Sequence, residues 1–279
     1  ASNETIPDIL RERWALKTDS LDSGSNYFDE VAISDNSFFS DEIVFIALGN
    51  TNSRMCAGCD LYDSIDAFFQ IIGSDGTVYK TEQFGTQGPD HFQSIAVAED
   101  GSFYILGEVS QYTYPGFSNE GGTDVVLRKY NNEGSHQWTR QFGTSYQDYA
   151  AENGITLGPN GNIFIAGDTI GPLDGDSGGD FSDRDIFLRE YSANGTLLWS
   201  TQTEDSGDER ANSIAVGSDG SIYVGGMKNA PGSGIYDALV IKYDASRAHA
   251  WTHQFGSESF ATVRDLKIDG DDNLILGGE

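Results

Sequence analysis

Asp124-Val-Val-Leu-Arg-Lys-Tyr130, Trp138-Thr-Arg-Gln-Phe-Gly-Thr144 and Asn162-Ile-Phe-Ile-Ala-Gly167 stand one after another in the middle of the chain. The same phrases return as Asp185-Ile-Phe-Leu-Arg-Glu-Tyr191, Trp199 and Ser221-Ile-Tyr-Val-Gly-Gly226. A unit that recurs at a fixed period is a building block before it is a site, because each copy must bury its flanks against the next. Working outward, the anchor aspartates Asp66, Asp124, Asp185 and Asp237 lie 58, 61 and 52 residues apart. Glycines that close an apolar run fall at Gly49, Gly107, Gly167, Gly226 and Gly278, so five units are present.

Each unit holds four short apolar runs bounded by turn residues. The first is the Ile95-Ala-Val97 type, the second Phe103-Tyr-Ile-Leu-Gly107, the third starts at the anchor aspartate, and the fourth runs from Trp138 to Phe142 or from Trp251 to Phe255. The runs have strand length, are rich in Val, Ile, Tyr and Phe, and nowhere sustain a helical apolar period. Asp100-Gly101, Asn160-Gly161 and Asp219-Gly220 between first and second runs, and Asp75-Gly76, Glu133-Gly134 and Asn194-Gly195 between third and fourth, are tight-hairpin dipeptides. The chain therefore reads as all-β. A four-stranded antiparallel meander of this length, repeated, is the sequence form of a β-propeller blade. Trp138 and Phe142, four apart on one strand, point to one side and fill the space between blades.

The phrases Asp237-Ala-Leu-Val-Ile-Lys-Tyr243, Trp251-Thr-His-Gln-Phe-Gly256, Ser213-Ile-Ala-Val216 and Gly161-Asn-Ile-Phe-Ile-Ala-Gly167 resemble the units of the bacterial β-propeller repeat family of surface and secreted proteins. The resemblance covers most of the chain and implies a propeller; it implies no catalytic residues. That family is described as seven-bladed, whereas five units are present here. The fourth unit also reads Gln202-Thr-Glu204 in place of Gln-Phe-Gly, so its outer edge is expected to pack differently. The expectation is one domain over residues 1–279, a five-bladed ring closed by strands from both ends, with Asp8 to Lys17 joining Leu266 to Gly278 and hiding two sheet edges.

Formal charge is −28, with 44 Asp and Glu against 16 Lys and Arg, which argues against a nucleic-acid or anionic-membrane partner. Such charge favours cations, and calcium is the expected small partner. No apolar run reaches the ~18 residues of a membrane-spanning helix. The two cysteines, Cys56 and Cys59, form a Cys-x-x-Cys pair with no second pair to complete a zinc site and no following His for haem. A small structural disulfide is expected, with reduced thiols as the alternative. Together with the resemblance, this implies an extracellular, cell-surface or periplasmic setting.

Propeller geometry puts the second-to-third and unit-to-unit connections on one face, and every long loop falls there: 50–65, 108–123, 168–184 and 227–236. Long loops on one rim of a rigid scaffold are the usual place for binding. Asp174, Asp176, Asp180, Asp183 and Asp185, spaced through a glycine-rich loop, are the candidate calcium ligands, against the plainer reading of a solvated acidic loop. Tyr112, Tyr114 and Phe117, beside Asn119 and Asp124, offer flat apolar faces with polar neighbours, as a sugar requires, against local packing. His91, His136, His249 and His253 form no metal motif, and no Gly-x-Ser-x-Gly is present. The functional expectation is a non-catalytic binding, adhesion or structural module, calcium-associated, monomeric or part of a longer surface protein, with a glycan or protein partner. The alternative is a lectin or carbohydrate-active enzyme on the same face.

Overall fold

The computed structural model describes residues 26–34, 44–56, 65–119, 121–175, 183–203, 206–229, 234–256 and 260–279. The first sheet is a meander of β1 (Asn26–Ser34), β2 (Val44–Thr51), β3 (Asp66–Gly73) and β4 (Val78–Phe84). The second holds β5 (Asp90–Val97), β6 (Phe103–Ser110), β7 (Thr123–Tyr130) and β8 (His136–Phe142). The third holds β9 (Asp148–Leu157), β10 (Ile163–Thr169), β11 (Asp185–Tyr191) and β12 (Leu197–Gln202). The fourth holds β13 (Glu209–Val216), β14 (Ile222–Asn229), β15 (Tyr236–Tyr243) and β16 (His249–Phe255), joined to the third by one parallel bridge, Ser213 to Asn153. β17 (Val263–Ile268) and β18 (Leu274–Gly278) make a two-stranded fifth sheet. Each pairing inside a unit is antiparallel between consecutive strands, as the repeat predicts.

The hairpins follow from their turn residues. Gly101, Gly161 and Gly220 sit at φ 77, 74 and 81, the left-handed region that only glycine enters without strain. In each, the preceding Asp or Asn side chain accepts the amide two residues on, as Asp100 Oδ1 does from Ser102 N at 2.9 Å. The fifth unit has Asp272 at φ 60 in this hairpin, and in the hairpin between third and fourth strands the fourth unit has Arg247 at φ 71 where the others have Gly76, Gly134 and Gly195.

The core is not one cluster but four, one at each joint between successive sheets. The joint of the first two sheets buries Leu48, Phe69 and Ile71 against Phe92, Ile105 and Tyr130. The next buries Tyr104, Leu106 and Leu127 against Ile155, Ile165 and Phe187, with Trp138 and Phe142 packed at its margin. The third buries Phe164 and Leu188 against Ile214, Val224 and Ile241, and the last packs Val240 on Val263 and Leu266. Each wholly buried Phe or Ile at such a joint contributes about 1.5–3 kcal/mol, so stability is spread along the joints.

Two polar devices repeat on this frame. The glutamine of Gln-Phe-Gly donates to the anchor aspartate on the adjacent strand: Gln83 to Asp66, Gln141 to Asp124 and Gln202 to Asp185 at 2.8 Å, and Gln254 to Asp237 at 2.9 Å. The departure at Gln202-Thr-Glu204, which falls on the third sheet, therefore keeps the glutamine and loses the Phe-Gly after it. At the first two joints the next sheet lays an arginine on the Phe: Arg128 lies 4.5 Å from the Phe84 centroid, and Arg189 lies 3.8 Å from that of Phe142. Thr203 replaces Phe at the third joint and Ile241 replaces Arg. A cleft of about 680 Å³ lined by Thr201, Thr203, Ile241 and Thr252 remains there.

Ring closure is described from one side only. The segment from Asp8 to Lys17 lies outside the described residues. Ile275 and Leu276 on β18 and Phe255 at the end of β16 are exposed. Glu30 on β1 is within electrostatic reach of Lys267 and Asp265 on β17, which places the first and last units near one another.

Candidate functional site

A pocket of about 530 Å³ lies where the five first strands converge, and its lining comes from all five units. It is built by one irregularity that recurs five times. In every unit the register between first and second strands slips immediately after the residue opposite the closing glycine: at Phe28 and Gly49, Phe92 and Gly107, Ala150 and Gly167, Ala211 and Gly226, Val263 and Gly278. The extra residue of such a bulge is unpaired and turned out of the ladder. Those residues are Asp29, Gln93, Asn212 and Arg264, and in the longer bulge of β9 Glu152 and Asn153; all six line the pocket.

The closing glycine is the reason the bulge fits. A Cβ at Gly107 would strike the carbonyl oxygen of His91, one at Gly167 that of Tyr149, and one at Gly226 that of Arg210. Only the missing side chain lets the two backbones approach so closely.

A second tier comes from cross-strand partners just toward the long-loop end: His91 opposite Glu108, Tyr149 opposite Asp168, and Arg210 opposite Met227. Arg184, immediately before β11, reaches over this tier, donating to Asp168 Oδ2 at 2.7 Å with its guanidinium 4.3 Å from the Tyr149 ring centroid. Arg210 pairs with Asp208 at 2.9 Å, and Arg264 with Glu279 at 2.6 Å. Glu108 Oε2 accepts the Ala150 amide at 3.1 Å across the joint. Burial pushes Glu108 up to about 8, with Asp168 adding to the effect, so this carboxyl is protonated at neutral pH. Burial also pushes Asp168 up to about 6, opposed by Arg184, so the ion pair is formed at neutral pH.

The residues singled out by sequence fall elsewhere. Tyr114 is buried in the first joint with Arg128 4.6 Å from its ring centroid; as a ligand-facing ring it is corrected to a packing residue. Phe117 is half-buried against the same cluster, and Tyr112 is exposed. Of the proposed calcium ligands, Asp174 is held by Arg189 at 2.6 Å, Asp183 accepts the Gly207 amide at 2.7 Å, and Asp185 accepts from Gln202. Asp176 and Asp180 lie outside the described residues. Among the described residues no group of three or more His, Cys, Asp or Glu is arranged to hold a metal ion. Cys56 is disulfide-bonded; Cys59, the chain's other cysteine, lies outside the described residues.

Asp90 and Asp148 turn out to organise the loops that enter β5 and β9. Each accepts a loop amide, from Thr86 and Thr144 at 2.5 and 2.6 Å. The register puts Glu209 in the equivalent place of the fourth unit, where it pairs with Lys228. The pocket residues themselves were missed because they sit inside runs read as strand. The available signal was a polar residue interrupting the first run and another directly after the closing glycine.

Residues 137–174, from the last strand of one sheet through the first two of the next, match the SBBP family, a β-propeller repeat. Among curated proteins, the chain is similar to the Regulatory protein FlaEY of Caulobacter vibrioides, 27% identical over 64% of this chain and 21% of its own length. The chain thus spans about a fifth of that protein. Among solved structures, an apocarotenoid oxygenase mutant of Synechocystis superposes on 87% of this chain and 53% of its own, with a TM-score of 0.47 at 12% identity. Prolyl oligopeptidase B of Galerina marginata covers 91% of this chain and 32% of its own at 0.46 and 10% identity. A GH43_12 protein retrieved from a capybara gut metagenome covers 92% and 50% at 0.39 and 10% identity. No helix among the described residues is long and apolar enough to cross a membrane.

Proposed function

We propose that the chain is a non-catalytic binding module of a secreted or surface-displayed bacterial protein, and that its ligand enters the central pocket at the long-loop end. One observation carries this reading: the frame repeats while the pocket does not. The Gln–Asp bond recurs in four units and the closing glycine in five. The bulge side chains, by contrast, vary from unit to unit: Asp29, Gln93, Glu152 with Asn153, Asn212 and Arg264, with asparagine alone occurring twice. A purely structural bulge would repeat its side chain as the frame repeats; varied polar groups facing one cavity make a recognition surface. Saturation-transfer NMR of the full chain against a small-molecule library, repeated on Ala211→Trp to fill the pocket, tests it. Ligands whose binding ignores that substitution overturn the central site.

The same reading takes the ring as five-bladed. Calcium enters it only through Asp176 and Asp180, since Asp174, Asp183 and Asp185 have other partners. A melting temperature unmoved by EDTA removes that part.

One feature favours a second reading, a carbohydrate-active enzyme. Glu108, protonated, shares the pocket with the ionised Asp168, the acid-and-carboxylate combination that glycoside cleavage uses. Turnover of chromogenic glycosides that disappears in Glu108→Gln establishes it; no turnover across a panel removes it.

A further inference from the structure

We infer that the central pocket takes an uncharged, polyhydroxylated ligand of the size of one or two sugar rings; this rests on the pocket being the binding site. The walls leave little for a charged ligand. Each arginine of the lining is already committed to a carboxylate: Arg184 to Asp168, Arg210 to Asp208 and Arg264 to Glu279. An anionic ligand would have to compete for a guanidinium that is already paired; breaking Arg184–Asp168 would strand the buried Asp168 charge, while the exposed Arg264–Glu279 pair holds more weakly.

The remaining carboxyls do not favour a cation strongly. Glu108 is buried and bonded to the Ala150 amide. Asp29 accepts from Asn50 Nδ2 at 2.7 Å, and its burial raises its pKa. Asp29 and Glu152 are the exposed carboxylates among the described lining residues, one on β1 and one on β9, and Asp29 is already bonded to Asn50.

What remains is neutral and bifunctional. Asn212 spends Nδ2 on Thr262 and Val263, leaving its side-chain oxygen as an acceptor. The side-chain nitrogens of Gln93 and Asn153 are engaged by the carbonyls of Ala150 and Arg264. His91 Nδ1 is engaged with Gln93 at 2.5 Å, which leaves Nε2, and the Tyr149 hydroxyl has no bond among the described residues. Groups that each donate or accept once, spread around a cavity, match hydroxyls, which do both. Stacking is not the mode of recognition, because Arg184 lies over the Tyr149 ring.

The test uses the full chain at pH 7 and three probe sets: the neutral disaccharides maltose, cellobiose, lactose and trehalose; the anions glucuronate and citrate; and the cations spermidine and glucosamine. Titration calorimetry gives the affinities. Tyr149→Phe keeps the ring beneath Arg184 and removes only the hydroxyl, so the fold is retained, with the melting temperature as control. The expected result is binding of at least one neutral disaccharide, weakened about tenfold by Tyr149→Phe, and no binding of the charged probes. Charged probes bound in preference, and weakened by Tyr149→Phe or Ala211→Trp, overturn the neutral class while the pocket stands. Disaccharide binding that neither substitution changes overturns the pocket itself. Silence from all three sets overturns the inference.

Discussion

The guanidinium of Arg189 on β11 lies 3.8 Å from the ring centroid of Phe142 on β8, so the third sheet is fastened to the second by a buried cation on an aromatic face. Arg128 on Phe84 repeats the contact one joint earlier. Such contacts are worth about 2 kcal/mol when desolvated. Phe142→Leu keeps most of the apolar volume and removes the ring, and is expected to cost about 1–2 kcal/mol in urea unfolding. A change within error would show that the stacking contributes nothing.

The third joint, with Thr203 and Ile241 in these places, allows the contact to be built. Ile241→Arg alone buries an unpaired charge and should cost on the order of 3 kcal/mol. Adding Thr203→Phe should return about 1–2 kcal/mol of it as a favourable coupling in a double-mutant cycle. Strict additivity would count against the cation–aromatic account of the other two joints.

Gly143 follows Phe142 and lies between two carboxyls. A Cβ there would collide with Asp124 Oδ1 and press on Asp148 Oδ2. Gly143→Ala is expected to destabilise by about 1–3 kcal/mol, measured as a shift of the denaturant midpoint at unchanged slope. Gly161→Ala makes the contrast: its Cβ meets nothing within 4 Å, so any cost there comes from its φ of 74 alone.

Stability should decline on the alkaline side. Burial pushes Glu108 up to about 8, Asp90 to about 7 and Asp148 to about 6, above the ordinary carboxyl values of 4.5 and 3.8. A raised value means that folding favours the protonated form. The stability these groups contribute is complete below about pH 4 and is lost as pH climbs through 6 to 8. Turn aspartates act the other way: Asp100 and Asp244 are lowered, first by the hydroxyls of Ser102 and Ser246, and their contribution is lost only as pH falls below about 4. The melting temperature is therefore expected to peak near pH 4–5 and fall toward pH 8, with Glu108→Gln flattening that fall. A melting temperature that rises from pH 5 to pH 8 would refute the sign.

The frame was legible because it is written in period and turn chemistry. Asp100-Gly101 and its counterparts marked the hairpins, and the Asp124 to Gln141 bond connects two landmarks that the repeat itself aligns. Gln202-Thr-Glu204 marked a joint that does pack differently, although the accompanying change at Ile241 lies 38 residues from Thr203 and shows only when the sheets are stacked. The pocket was not legible. A bulge turns Gln93 and Asn212 out of strands whose alternation would assign them to a sheet face, and nothing local distinguishes Asp168, paired with Arg184, from an ordinary surface aspartate. The aromatic loop misled for the converse reason: Tyr114 lies in a loop by sequence yet packs under Arg128.

Because each closing glycine concedes its space to a neighbouring carbonyl, the side chain just beyond is turned to the rim of the cavity. Positions 29 and 264 can then be rewritten most freely, whereas Gln93, Asn153 and Asn212 also hold a carbonyl of the adjoining sheet. The cavity rim is thus a set of exchangeable fittings, and a randomised library confined to those codons should yield folded proteins with new affinities.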